Sequence, residues 1–226
     1  PGSERGTAGS ASGTPWIAEG RGHGKLIVAG EHAVVYGHPA IALAVDRGIR
    51  VRLRRRAGPT ATAPGTICDA RLSSALAAVL PAEGWEVGLD GDVPLGRGMG
   101  SSGALAVGLV RAWAAVRGEA LGQDACWEAA FAVERVFHGT PSGLDHAVAA
   151  RGGALRYVRG TPPTFTPLPC PGWPVVVLDS GTAGDTRALV AGVAARRPAI
   201  DTVLDAIGTL LGRVEAALLD PEALGP

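Results

Sequence analysis

Seven residues set the terms for the chain around them. Gly96-Arg97-Gly98-Met99-Gly100-Ser101-Ser102 runs straight into the apolar stretch Ala104 to Val110. Alternating glycines let a backbone take positive φ and approach a ligand closely. The exposed amides of a first helical turn then face an anion, helped by the helix dipole. Serine hydroxyls in that turn cap the helix or ligate Mg²⁺. No lysine follows the last glycine, so this is not the Walker form. Spacing and the lack of an acidic partner about 20 residues on exclude the dinucleotide fingerprint. The pattern points to phosphate binding; the plainer alternative is a glycine-rich turn with an ordinary serine cap. The helix it opens, expected from Ser101 to near Gly118, carries small apolar residues on several faces and must be buried.

The rest of the chain can supply that burial. It has 226 residues, enough for one domain or one and a half, and is 46% hydrophobic and 19% charged, which excludes global disorder. Twenty-one basic and 21 acidic side chains balance, so nucleic acid is not an expected partner. Cys68, Cys126 and Cys170 are widely spaced with no CxxC pair, against a zinc site or disulfide framework and for reduced, cytoplasmic thiols. No apolar run approaches the ~20 residues that span a bilayer, so no membrane association is expected. Residues 1–15 lack the apolar core of a signal peptide and read as a disordered leader.

Hydrophobic patterning predicts strands at Lys25 to Ala29, Ile41 to Val45 and Ile49 to Leu53. In the third of these, Arg50, Arg52 and Arg54 form an outer stripe that suits a solvated face better than an anion site. A loop is expected from Gly58 to Gly65, a helix from Asp69 to Leu80 and a strand from Trp85 to Leu89. Further helices are expected from Gln123 to Phe137, from Asp185 to Arg197 and from Ile200 to Leu219, with strands at Ala154 to Val158 and Val175 to Asp179. Residues 160–174, with six prolines, read as a domain connection. The mixed order of strands and helices gives an α+β class.

Two further groups bear on chemistry. In ERVFHGTPSGLD, Glu134 ends a helix and Asp145 follows a turn built by Gly139, Pro141 and Gly143. Carboxylates on either side of such a turn can divide metal binding and proton acceptance. The alternative is a surface glutamate and a helix-capping aspartate. His138 reads as a satisfied turn histidine. Lys25 is the single lysine among 21 basic residues. A compact ammonium there can stabilise transferring phosphoryl oxygens, with Glu31 or His32 binding a polar substrate. Together these residues compose a phosphoryl-transfer site.

The segments GKLIVAGEHAVVYGHPAIA, PLGRGMGSSGAL, ERVFHGTPSGLDHAVAARGGALRY and DTRALVAGVAARR resemble the GHMP kinases (galactokinase, homoserine kinase, mevalonate kinase, phosphomevalonate kinase), and within them the mevalonate kinase family. The resemblance implies an N-terminal domain like ribosomal protein S5 domain 2, over 16–172, and a ferredoxin-like C-terminal domain, present in part over 173–226. It implies ATP-dependent phosphorylation of mevalonate to 5-phosphomevalonate. In that reading Asp145 accepts the hydroxyl proton and Lys25 favours the ionised forms of hydroxyl and carboxylate. Ser102 and Glu134 hold Mg²⁺. Pro94, Gly96, Arg97, Gly98, Met99, Gly100, Ser101 and Ser102 cradle ATP, and Glu31, His32 and Thr186 contact mevalonate. Full-length members carry a third glycine-rich motif that is not found before Pro226, so the chain is expected to be a truncated form. The alternatives are a sister kinase acting on phosphomevalonate or a sugar, and a catalytically silent binding module. The resemblance leaves room for a homodimer.

Overall fold

A computed structural model describes residues 14–66, 68–94, 96–139, 141–170, 175–178, 181 and 186–220, apart from the side chains of residues 186 and 187. Two long strands organise it. The first, β1 (Ala18–Ala29), runs antiparallel along the second, β2 (Pro39–Pro59), with a short 3₁₀ turn at Ala33–Tyr36 between them. The ladder is irregular between His23 and Lys25, where residues 45–47 of β2 bulge opposite Gly24. That irregularity changes which side chains point inward. Ala40 and Ala42 pack on one helical layer before it, and Ile49, Val51 and Leu53 pack there after it.

The other edge of β2 is shared. Its first part pairs with β5 (Ala154–Val158) and its second with β4 (Glu83–Gly91), both antiparallel. A two-residue strand, β3 (Ala61–Thr62), lies parallel beside β4, and β6 (Thr164–Leu168) closes the far edge against β5. These pairings revise three expectations. The two pieces predicted at Ile41 to Val45 and Ile49 to Leu53 are one 21-residue strand, because a bulge rather than a turn accommodates Asp46 to Gly48. The Gly58 to Gly65 loop contains β3. The proline-rich connection contains β6, where Pro167 is tolerated because an edge strand leaves some amides unpaired.

Four helices cover one face of the sheet: α1 (Ala70–Ala77), α2 (Ser101–Arg117), α3 (Gln123–His138) and α4 (Leu144–Arg151). Asp69 caps α1 by accepting from the Leu72 amide at 2.8 Å. Ten residues of α2 are buried, as its width of apolar surface requires. It lies almost on the backbone of β1: a Cβ on Gly22 would sit 2.1 Å from the Ala104 carbonyl oxygen. Only a strand short of side chains allows that approach. The α2 N-terminus is thereby fixed beside Lys25.

After α5 (Thr186–Ala194), α6 (Asp201–Leu219) covers the opposite face of the sheet through Leu211 and Leu218 on Ile41. Arg156 to Glu215 at 3.4 Å adds an ion pair across that contact. The arginine stripe is engaged rather than open. Arg50 pairs with Glu19 and Arg54 with Glu86, while the guanidinium groups of Arg52 and Arg54 lie 4.9 and 4.5 Å from the Trp16 ring. Val175 to Leu178 form no strand, since no described segment pairs with them; Leu178 is 91% exposed. Expectations that fall on residues 1–13, Trp173, Asp179 and Asp185 lie outside the described residues. No helix among the described residues is long and apolar enough to cross a membrane.

Candidate active site

Lys25 stands near the middle of β1, held at both ends. Its amide donates to the Met99 carbonyl at 2.9 Å, tying the strand to the glycine loop, and its Nζ lies 3.2 Å from Asp145 Oδ1. The lysine side chain is 8% exposed and the aspartate 29%, so the pair is shielded on the lysine side and open at the carboxylate. A charge pair of this kind is much less screened than one in bulk water.

The loop that Lys25 grips takes positive φ at Gly96, Gly98 and Gly100 (69°, 75° and 69°), a conformation that residues with a Cβ rarely adopt. Gly100 is the N-cap of α2 and accepts from the Ala104 amide at 2.9 Å. The amides of Ser101, Ser102 and Gly103 therefore start the helix without intrahelical acceptors. Pro94, Gly96 and Gly98 are exposed, Arg97 is half-buried, and Met99 is buried with its carbonyl on Lys25.

Asp145 reaches this loop because α4 begins almost in contact with α2. A Cβ on Gly103 would lie 2.9 Å from the Asp145 carbonyl carbon and 3.0 Å from the His146 nitrogen. The turn before α4 is fixed from two other sides. Trp127 Nε1 donates to the Gly143 carbonyl at 3.0 Å, and the Tyr157 hydroxyl donates to the Ser142 carbonyl at 2.7 Å. Asp145 then sits in the first turn of α4, near the positive end of its dipole.

Glu134, on α3, is 1% exposed, and its Oε1 has no hydrogen-bond partner. Burial, reinforced by the nearby Asp145 charge, pushes its carboxyl up to about 8; the neighbouring Ser102 hydroxyl and the charge of Lys25 act the other way. A buried carboxyl in that condition is stabilised by any cation that enters. The Ser102 hydroxyl places a second oxygen nearby. Among the described residues no three His, Cys, Asp or Glu side chains form a cage. A divalent cation held by Ser102 and Glu134 would complete its shell with water and ligand oxygens, the habit of Mg²⁺ rather than of a protein-caged metal.

The structure thus brings Lys25, Gly100, Ser102, Glu134 and Asp145 together. Glu31 and His32 are farther along the same chain segment, after the end of β1. Glu31 is exposed. His32 has φ 61° and ψ −50°, and its neighbours close a three-residue turn in which the Ala33 amide donates to the Glu31 carbonyl at 2.7 Å. That strained γ-turn sets both residues on the rim of an apolar groove of about 530 Å³ floored by Leu204, Ile207 and Leu211 of α6. Thr186 begins α5, and its side chain lies outside the described residues.

Sequence reasoning read one residue as an ordinary turn histidine, whereas it ends α3 against Ser102, and passed over another. His138 Nε2 is 2.9 Å from Ser102 Oγ and 3.9 Å from Glu134 Oε2. Its position four residues after Glu134, on the same helical face, was the available signal. Gly103 is the other, its signal being a fourth glycine immediately after the serine pair.

A family model described as the GHMP kinases N terminal domain matches residues 68–153. Mevalonate kinase of Pyrococcus horikoshii is 31% identical over 230 residues, covering 86% of this chain and 68% of that protein. Mevalonate kinase of Aeropyrum pernix is 32% identical over 192 residues, covering 74% and 58%. The crystal structure of L. major mevalonate kinase in complex with R-mevalonate superposes with a TM-score of 0.72 at 22% identity, over 93% of this chain and 73% of that one. The chain therefore spans roughly three fifths to two thirds of the length of these two sequence relatives.

Proposed function

Starting from membership of the mevalonate kinase family, to which this chain belongs, we propose that its site transfers the terminal phosphoryl group of ATP to the primary hydroxyl of mevalonate. The observation that carries this reading is the Lys25–Asp145 pair at 3.2 Å beside a glycine loop that caps a helix. Asp145 takes the proton from the acceptor hydroxyl. As the new oxygen–phosphorus bond forms, the bond to the ADP oxygen breaks, and ADP leaves with the electron pair. Lys25 faces the charge growing on the attacking oxygen and on the transferring phosphoryl group. The free amides of the first turn of α2 point at phosphate oxygens, and the loop backbone approaches them without side chains in the way. Ser102 and Glu134 would hold Mg²⁺, which neutralises charge on the nucleotide phosphates when bound. Most of the rate then comes from positioning and charge, with little covalent work for the protein.

Glu31, His32 and Thr186 are assigned to the mevalonate side of the site, with the first two entering from the end of β1. The substrate is a small molecule, and no nucleic acid or membrane enters the scheme.

The test is ADP release with mevalonate, phosphomevalonate and galactose offered separately as acceptors. Turnover selective for mevalonate is expected. Equal rates with all three, or a preference for phosphomevalonate or galactose, would overturn the acceptor assignment. Nucleotide binding with no ADP formed from any acceptor would reduce the chain to a binding module.

A further inference from the structure

A serine hydroxyl that ligates a cation has a bookkeeping problem: it carries one proton and two lone pairs, and the proton must point away from the metal. In this site Ser102 has two neighbours that can take that proton. One is the Glu134 carboxylate, the proposed co-ligand. The other is His138, whose Nε2 lies 2.9 Å from Ser102 Oγ at hydrogen-bond distance. A hydroxyl that donates to Glu134 turns its proton toward the same space the cation would occupy. A hydroxyl that donates to His138 turns its lone pairs there instead.

We infer that His138 is a positioning residue of this site: its imidazole accepts the Ser102 hydroxyl proton and so aims the oxygen at the cation. This rests on the reading of Ser102 and Glu134 as cation ligands. On the α3 side one helical turn separates Glu134 from His138, and the crossing of α3 with α2 sets both side chains against the α2 N-terminus. His138 Nε2 is 3.9 Å from Glu134 Oε2, too far for a good hydrogen bond, so the ring is aligned on the serine and not on the acid. Acceptance at Nε2 puts the ring hydrogen on Nδ1. Partners behind the ligands commonly orient them in this way, and losing one typically costs about 10–100-fold in metal affinity.

The experiment measures Mn²⁺ binding to the full chain in the presence of ADP, by calorimetry or electron paramagnetic resonance, so that no turnover is needed. His138→Leu is expected to weaken Mn²⁺ binding by at least about tenfold while leaving metal-free ADP binding unchanged. His138→Gln, whose amide oxygen accepts a hydroxyl proton, is expected to recover most of that loss, which a merely structural role would not predict. His138→Leu combined with Ser102→Ala is expected to lose no more than Ser102→Ala alone. If Ser102→Ala itself leaves Mn²⁺ affinity intact, the ligand reading fails. If Ser102→Ala weakens it and His138→Leu does not, the inference about His138 falls alone. Should the leucine variant not fold, ring-nitrogen NMR of the intact chain at mildly alkaline pH decides. Hydrogen on Nδ1 is expected, and hydrogen on Nε2 overturns the proposal.

Discussion

Asp145 and its neighbour His146 sit one residue apart and meet opposite conditions. Asp145 faces Lys25, and Asp145→Asn keeps its shape while removing the proposed proton acceptor. Turnover is expected to fall by about 10²–10⁴ with nucleotide affinity retained, as read by steady-state kcat beside calorimetric ADP binding. His146 looks inward. It is fully buried, stacked 5.4 Å from the Trp127 ring and edge-on to Phe131 at 5.2 Å, and neither ring nitrogen has a hydrogen-bond partner. Burial lowers its titration to about 4, against 6.5 for a free histidine; the Asp145 charge opposes this only in part. Below about pH 6.5 the unfolded chain takes up a proton that the folded chain refuses until about pH 4. The contribution of His146 to stability therefore falls with pH across that window, by an amount on the order of 3 kcal/mol at its lower end. The raised Glu134 carboxyl acts with the opposite sign over much of the same window, so the comparison is between two chains: urea midpoints measured from neutral pH down to pH 4 are expected to fall progressively for the intact chain relative to His146→Leu.

Among the helices, α2 carries two separable duties. Its middle fills the core: Leu109 is completely buried between Ile49, Val51 and α1. Leu109→Ala is expected to cost about 2–5 kcal/mol in chemical denaturation and to leave kcat of the folded fraction nearly unchanged. Its first turn sets distances at the site. Gly103→Ala places a methyl against the Asp145 backbone, and overpacking of this sort costs about 1–3 kcal/mol. Here kcat is expected to drop more than stability does, because the strain separates Asp145 from Ser102; equal loss in both measurements would argue against that. The helices were legible from the sequence because apolar spacing and start signals agree locally, as at Asp69 and Gly100. The strands were legible in pieces. Nothing local distinguishes the bulge at residues 45–47 from a turn, and a threonine–proline segment such as Thr164 to Leu168 becomes a strand only when β5 offers an edge. Lys25 and Asp145 were picked out by residue type, resemblance and context, but their meeting across 120 residues of chain is tertiary. The link from Ser102 to His138 likewise depends on how α2 and α3 cross, which no spacing rule gives.

The whole molecule is a sheet covered on both faces, and the second cover is slighter. Four helices bury one side, whereas α6 meets the other through Leu211 and Leu218 on Ile41, with polar contacts at Arg156–Glu215 and His38–Asp205. Leu211→Ala is expected to speed hydrogen exchange of the α6 amides well before those of α2, and a uniform acceleration across both helices would refute that order. The sheet itself passes through Lys25, whose amide is fastened to the loop at Met99 while its ammonium faces Asp145. One residue is thus a splice between the loop and the start of α4. The glycine loop and the carboxylate of Asp145 therefore share one anchor: whatever displaces this stretch of strand would loosen its grip on both at once.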